Sequence, residues 1–128
     1  MKTLETEVGV FEFNYGWVKL INLNINEITY EIPLVFEAFE GENISEAQLK
    51  SYKLFMHEQS RYEQNILDLM SEYVLNESIQ NPEFTPTSLL FKRDGSIGLI
   101  CDCNWDIDQG IVIILYPNKV IKNQDLFL

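Results

Sequence analysis

Basic side chains are scarce in this 128-residue chain, where 9 Lys and Arg stand against 20 Asp and Glu for a formal net charge of −11 at pH 7. No cationic run is longer than Lys92-Arg93. Nucleic-acid affinity comes largely from cations that replace condensed counterions, so no nucleic-acid partner is expected. Long apolar runs are missing as well. Nothing approaches the roughly 20 residues that cross a bilayer, and Met1 to Glu7 lacks the apolar core of a signal peptide. A cytoplasmic protein without a membrane partner is expected. Histidine occurs once, at His57, which leaves a Ser-His-Asp set or a histidine-based zinc site without supporting spacing. No serine sits in a Gly-x-Ser-x-Gly context. The six glycines, at 9, 16, 41, 95, 98 and 110, fall into no phosphate-cradling pattern. Only two cysteines are present, Cys101 and Cys103. Two apart on one strand they point to the same face, where a mutual disulfide would be strained, so they read as reduced core residues.

What is present indicates one ordered domain. Apolar residues make up 46% of the chain, including 8 Phe, 6 Tyr and 2 Trp, enough to build a single core at this length. The strongest pattern is Gly95 to Pro117. Residues 97 to 103 and 110 to 116 are rich in Ile, Val and Leu, and Asn104 to Gln109 forms an acidic loop between them, the signature of a hairpin.

Earlier in the chain, Val8 to Phe13 and Trp17 to Leu23 flank the turn residues Asn14-Tyr15-Gly16 and predict a first hairpin. Glu27 to Ile32 alternates as a half-buried strand, with Ile28, Tyr30 and Ile32 on one side. Pro33 removes a ladder donor, so the continuation to Phe39 is expected as an edge strand or an extended lead-in to a helix. Ser45 with Gln48 forms a capping box, and Ile44 with Leu49 occupies the two positions of a hydrophobic staple. One long helix, or two joined by a kink near His57 to Arg61, follows over about 45–77. Asn81-Pro82 and Thr85-Pro86 mark a loop, Leu89 to Lys92 a short strand, and Lys119 to Lys122 a last strand. The expected fold class is α+β: an antiparallel sheet with the helix packed on one face.

Asp102, Asn104, Asp106 and Asp108 alternate like the start of an EF-hand loop, but the required glycine and the twelfth-position glutamate are missing. These side chains are expected to satisfy loop backbone donors instead, and no metal site is assigned. Trp105 reads as a packing anchor for the loop, and Gly110 as a position needing a special backbone angle. Glu37, Glu40 and Glu42 lie in a solvated stretch before the helix. With Asp106, Asp108 and the aromatic Tyr15 they are the candidate partner-binding residues. No catalytic residue and no cofactor is assigned.

Gly98 to Ile111, with its Trp105-Asp106-Ile107-Asp108-Gln109-Gly110 segment, resembles a hairpin motif of small bacterial domains of unknown function. Some of these are associated with immunity proteins of polymorphic toxin systems. Trp17 in an early strand and Ile44 to Gln48 at the helix start are similar to the same plan. The resemblance implies a non-catalytic protein-binding domain, plausibly an immunity-type protein that neutralises a basic toxin or nuclease. An acidic surface would steer a basic partner toward it. The alternative is a small-ligand or calcium module using Asp102 to Asp108.

Overall fold

A computed structural model describes residues 2–6 and 8–128. Eight strands lie side by side in sequence order: β1 (Thr3–Thr6), β2 (Gly9–Phe13), β3 (Trp17–Ile25), β4 (Ile28–Phe36), β5 (Phe84–Phe91), β6 (Ile97–Cys103), β7 (Ile111–Tyr116) and β8 (Val120–Asn123). Two helices, α1 (Glu46–His57) and α2 (Gln59–Asn76), connect β4 to β5. Every neighbouring pair is antiparallel except β4 with β5, which are parallel because the helical crossover returns the chain in the same direction. The fold is therefore the expected α+β arrangement, with one parallel seam between two four-stranded meanders.

Local chemistry explains most boundaries. Asn26 and Glu27 both adopt positive φ, 53° and 66°, the left-handed pair that a two-residue hairpin turn requires. The capping box is formed: Ser45 Oγ accepts the Gln48 N–H at 3.1 Å and Gln48 Oε1 accepts the Ser45 N–H at 2.9 Å. The helix breaks at Glu58, whose N–H is shared between the Leu54 and Phe55 carbonyls at 3.1 and 3.2 Å. That break falls where the apolar period lapses between Phe55 and Tyr62, so two helices replace one.

Three sequence expectations change. The strand β1 was not foreseen, because Thr3 to Thr6 is polar and gains its ladder only from β2. Pro33 lies within β4, an interior strand, and not on an edge. Pairing with β5 begins only at Leu34, so the stretch that includes Pro33 has no β5 neighbour to donate to. The strand β5 also starts earlier than Leu89. It incorporates Pro86 at a bulge, where the register shifts between Pro86 and Ser88 and the missing donor is tolerated.

The core occupies the helix-covered face. Phe36 is fully buried among Phe11, Tyr52 and Phe91, with ring centroids 5.1, 5.6 and 5.2 Å away. From α2, Tyr62, Ile66 and Met70 pack down at helical spacing. Cys101 and Cys103 are buried free thiols, as expected. Burial pushes both thiols up from their ordinary range.

Neither α1 nor α2 covers the opposite face. One row there runs Glu12, Val18, Val35, Leu90, Gly98, Ile114 and Val120, each residue opposite the next on the adjoining strand. Over β6 and β7 this face is closed by the end of the chain. The Phe127 ring lies on Gly98, where an added Cβ would stand 2.6 Å from it, and beside Val112. Lys92 Nζ sits 4.8 Å from the centre of that ring and donates to the Phe127 carbonyl. Gln124 Nε2 donates to the Cys101 carbonyl at 3.0 Å.

Candidate functional site

The end of the sheet where β4 and β5 finish is built around one buried amide. Gln48 is fully buried, and its Nε2 donates to the carbonyls of Glu37 and Phe91, both at 2.9 Å. Its Oε1 accepts from the Ser45 backbone and, at 3.3 Å, from Arg93. The side chain thus ties the start of α1 to the ends of β4 and β5 with its hydrogen-bonding capacity used. Between β4 and α1 the chain folds into a tight turn in which the Glu42 N–H bonds the Phe39 carbonyl at 3.0 Å. Gly41 takes φ 89° within it. The Trp17 indole N–H donates to the Glu42 carbonyl at 2.7 Å and pins this turn to β3.

The β2–β3 turn approaches from the other side. Tyr15 is held at φ 59° and Gly16 at φ 144°. A Cβ at Gly16 would stand 2.8 Å from the Phe36 carbonyl oxygen, so glycine is required for the turn to come this close to β4. A non-glycine residue in the left-handed region costs about 1–2 kcal/mol, which the surrounding structure absorbs to present Tyr15 outward.

These pieces enclose a cleft of about 550 Å³ lined by Phe13, Tyr15, Glu37, Ala38, Phe39, Glu40, Glu42 and Arg93. Tyr15 is 95% exposed and Phe39 82%, two aromatic rings left in water at the rim of one concavity. The carboxylates around them have partners already. Glu40 pairs with Lys2 at 3.0 Å, Glu42 lies 3.9 Å from the Arg93 guanidinium, and the Glu42 carboxylate also accepts the Phe39 N–H at 2.7 Å. Glu37 accepts the Arg93 backbone N–H at 3.4 Å. The guanidinium further donates to the Asn43 carbonyl at 2.6 Å.

Four of the six candidate residues, Tyr15, Glu37, Glu40 and Glu42, are therefore brought together. Asp106 and Asp108 are not. They follow Cys103, which pairs with Phe84, whereas the cleft adjoins the Phe91 and Ile97 end; the length of β6 separates the two ends by roughly 20 Å. In the acidic loop the side chains do satisfy the backbone: Asp106 Oδ1 accepts the Gln109 N–H at 3.2 Å and Asn104 Oδ1 the Glu83 N–H at 3.0 Å. Among the described residues no three His, Cys, Asp or Glu side chains converge on a metal-sized space. Trp105 packs against the core with its ring 6.2 Å from that of Tyr73. Its buried indole N–H meets no acceptor in hydrogen-bond geometry, although the Tyr73 hydroxyl lies close enough to feel it. Gly110 has φ 69°, and a Cβ there would stand 2.5 Å from the Cys101 carbonyl oxygen.

Phe13, Ala38, Phe39 and Arg93 belong to the cleft and were not singled out by sequence. The available signal was Phe39 itself, an apolar side chain among Glu37, Glu40 and Gly41 that fits neither a strand nor a helix period.

Fold and site together define a small α+β domain with a preformed, aromatic-rimmed cleft at one end of its sheet. Compared with known proteins, the chain matches no family model, no curated protein and no solved structure. No helix among the described residues is long and apolar enough to cross a membrane.

Proposed function

We propose that this chain is a non-catalytic protein-binding domain that docks a basic partner at the Tyr15–Phe39 cleft, in the manner of an immunity protein covering a toxin or nuclease. The observation that carries the reading is the coincidence of two almost fully exposed aromatic rings with three glutamates around a single apolar-floored concavity. Aromatic side chains anchored in or around pockets dominate many interfaces, and the −11 charge of the chain steers a cationic partner. The exposed Lys2–Glu40 pair contributes under about 1 kcal/mol, so a partner's Lys or Arg can take its place at little cost. The left-handed Tyr15 supports the same reading, because local strain of this kind is often retained for function.

The test is capture of a partner from the source cells with the native protein and with a Tyr15→Ser, Phe39→Ser double variant, each at low and moderate salt. A basic protein retained by the native chain, weakened by salt, lost with the double variant, and inhibited by the native chain in its own assay is the expected result. Equal retention by the double variant would remove the cleft from the reading. Affinity that does not fall with salt would remove its electrostatic part.

A further inference from the structure

We propose that the partner enters the cleft with one arginine side chain, and that Lys2 is the intramolecular competitor for its place. The inference rests on the cleft reading and narrows it to a residue type. Three carboxylates line the cleft, but their oxygens are unequally engaged. Glu42 uses both, one on the Phe39 N–H at 2.7 Å and the other 3.9 Å from Arg93. Glu37 uses Oε1 on the Arg93 backbone N–H, and Glu40 uses Oε1 on the Lys2 ammonium. No hydrogen bond from a described residue reaches the second oxygen of either. Arg93, the cleft's own cation, does not fill that place, because its guanidinium is turned to the Asn43 carbonyl, Gln48 Oε1 and Glu42.

The structure already seats a cation at this rim. Lys2 Nζ stands 3.0 Å from Glu40 with the two side chains 59% and 74% exposed, an arrangement held weakly enough to be exchanged. Once Lys2 leaves, three carboxylates face the single guanidinium of Arg93, and this excess selects a cationic side chain over a neutral or acidic one.

The rest of the lining selects among cations. Phe13 and Ala38 give the cleft an apolar floor, and the Tyr15 and Phe39 rings stand almost free at its rim. A lysine ammonium is a compact, strongly hydrated charge that loses its water over such a floor. A guanidinium is weakly hydrated, lies flat on aromatic rings, and carries donors on two edges for two carboxylates. Its methylene stem covers apolar surface on the way in. Arginine is therefore the side chain that matches charge, rings and floor together.

NMR titration of the full chain at low salt tests this, with N-acetyl-arginine methylamide as the probe and its lysine, citrulline and glutamate counterparts as comparisons. The arginine probe should shift the backbone signals of Tyr15, Ala38, Phe39 and Glu40 and bind roughly threefold tighter than the lysine probe. Citrulline, nearly the same shape without the charge, and glutamate should not register. Lys2→Met should tighten the arginine probe by about two- to fivefold, the worth of an exposed ion pair. Lys122→Met, which makes the same charge change on the edge strand β8, should leave it nearly unchanged. No binding up to the probe's solubility, shifts centred outside the cleft, lysine or citrulline bound as tightly as arginine, or a Lys2→Met gain matched by Lys122→Met would each overturn the proposal. The captured partner separates this inference from the reading beneath it. A partner that needs Tyr15 and Phe39 but keeps its affinity when its surface arginines become lysines leaves the cleft reading standing and ends this one. A partner retained equally by the Tyr15→Ser, Phe39→Ser variant ends both.

Discussion

Replacing Gln48 should be the most damaging single polar substitution in the molecule, and its size can be worked from the contacts. Gln48→Ala removes the donor to two carbonyls and the acceptor for the Ser45 N–H. The Phe91 carbonyl keeps the Glu37 N–H at 2.9 Å, so the groups left without a partner are the Glu37 carbonyl and the Ser45 N–H. Both groups are partly buried, so each costs about 1 kcal/mol, the lower end for an unsatisfied group, and the cavity adds about 1–2 kcal/mol, giving a loss of roughly 3–4 kcal/mol. Gln48→Glu separates the hydrogen bonding from the volume. One carboxylate oxygen would keep the Ser45 N–H and the Arg93 guanidinium. Full burial and the second oxygen, set against the Glu37 and Phe91 carbonyls with an acceptor where a donor is needed, outweigh them, favouring the protonated form and raising its folded-state pKa above the unfolded value of about 4.3. The sign follows: the stability of Gln48→Glu is fully retained below the unfolded pKa and lost as pH rises through the folded one. Urea unfolding of both variants from acid to neutral pH measures this. A Gln48→Glu deficit that is constant with pH, or a Gln48→Ala loss below about 1 kcal/mol, would refute the assignment of Gln48 as the tie between helix and sheet.

Tyr15→Gly should stabilise the fold by about 1 kcal/mol by relieving the left-handed backbone while weakening the proposed partner, so urea midpoint and affinity should move in opposite directions. The Cys101 and Cys103 thiols, raised by burial, should resist a thiol reagent in the native state and react with it at the rate of unfolding. The Asp94 carboxyl is held below the ordinary carboxylate range by the Ser96 N–H, which it accepts at 2.9 Å. Its contribution is present above its unfolded pKa and lost as pH falls through the folded one. The stability difference between the native chain and Asp94→Ala should therefore shrink toward low pH in urea titrations.

Much of the fold is legible in the residues because it is locally encoded. The Ser45 and Gln48 capping box, the Asn14–Gly16 turn and the Ile- and Val-rich hairpin each act over a few positions, and each is formed. What was not legible depends on neighbours distant in sequence. Pro33 looks like a strand breaker until one knows that β5 begins its pairing only at Leu34. Thr3 to Thr6 has no apolar period of its own and becomes a strand because β2 offers a ladder. The candidate site shows the same division. The carboxylates and Tyr15 could be chosen from their types, but only the turn pinned by Trp17 and the Gly16 approach put them around one cleft. Asp106 and Asp108 were grouped with them by charge, and the length of a strand separates them.

The seam between β4 and β5 bears on how the chain finds this structure. Since neighbours in the sheet are neighbours in sequence, every antiparallel ladder closes a short loop, and among the ladders only the three parallel pairs Leu34–Leu89, Val35–Leu90 and Phe36–Phe91 join distant segments. Loop-closure entropy is therefore concentrated in one event. The two meanders should therefore form before the seam, and the arrival of Phe91 on Phe36 should limit the folding rate. Conservative truncations at Leu34 and Leu89 should then report on the rate-limiting step, and those at the outer hairpins on what precedes or follows it.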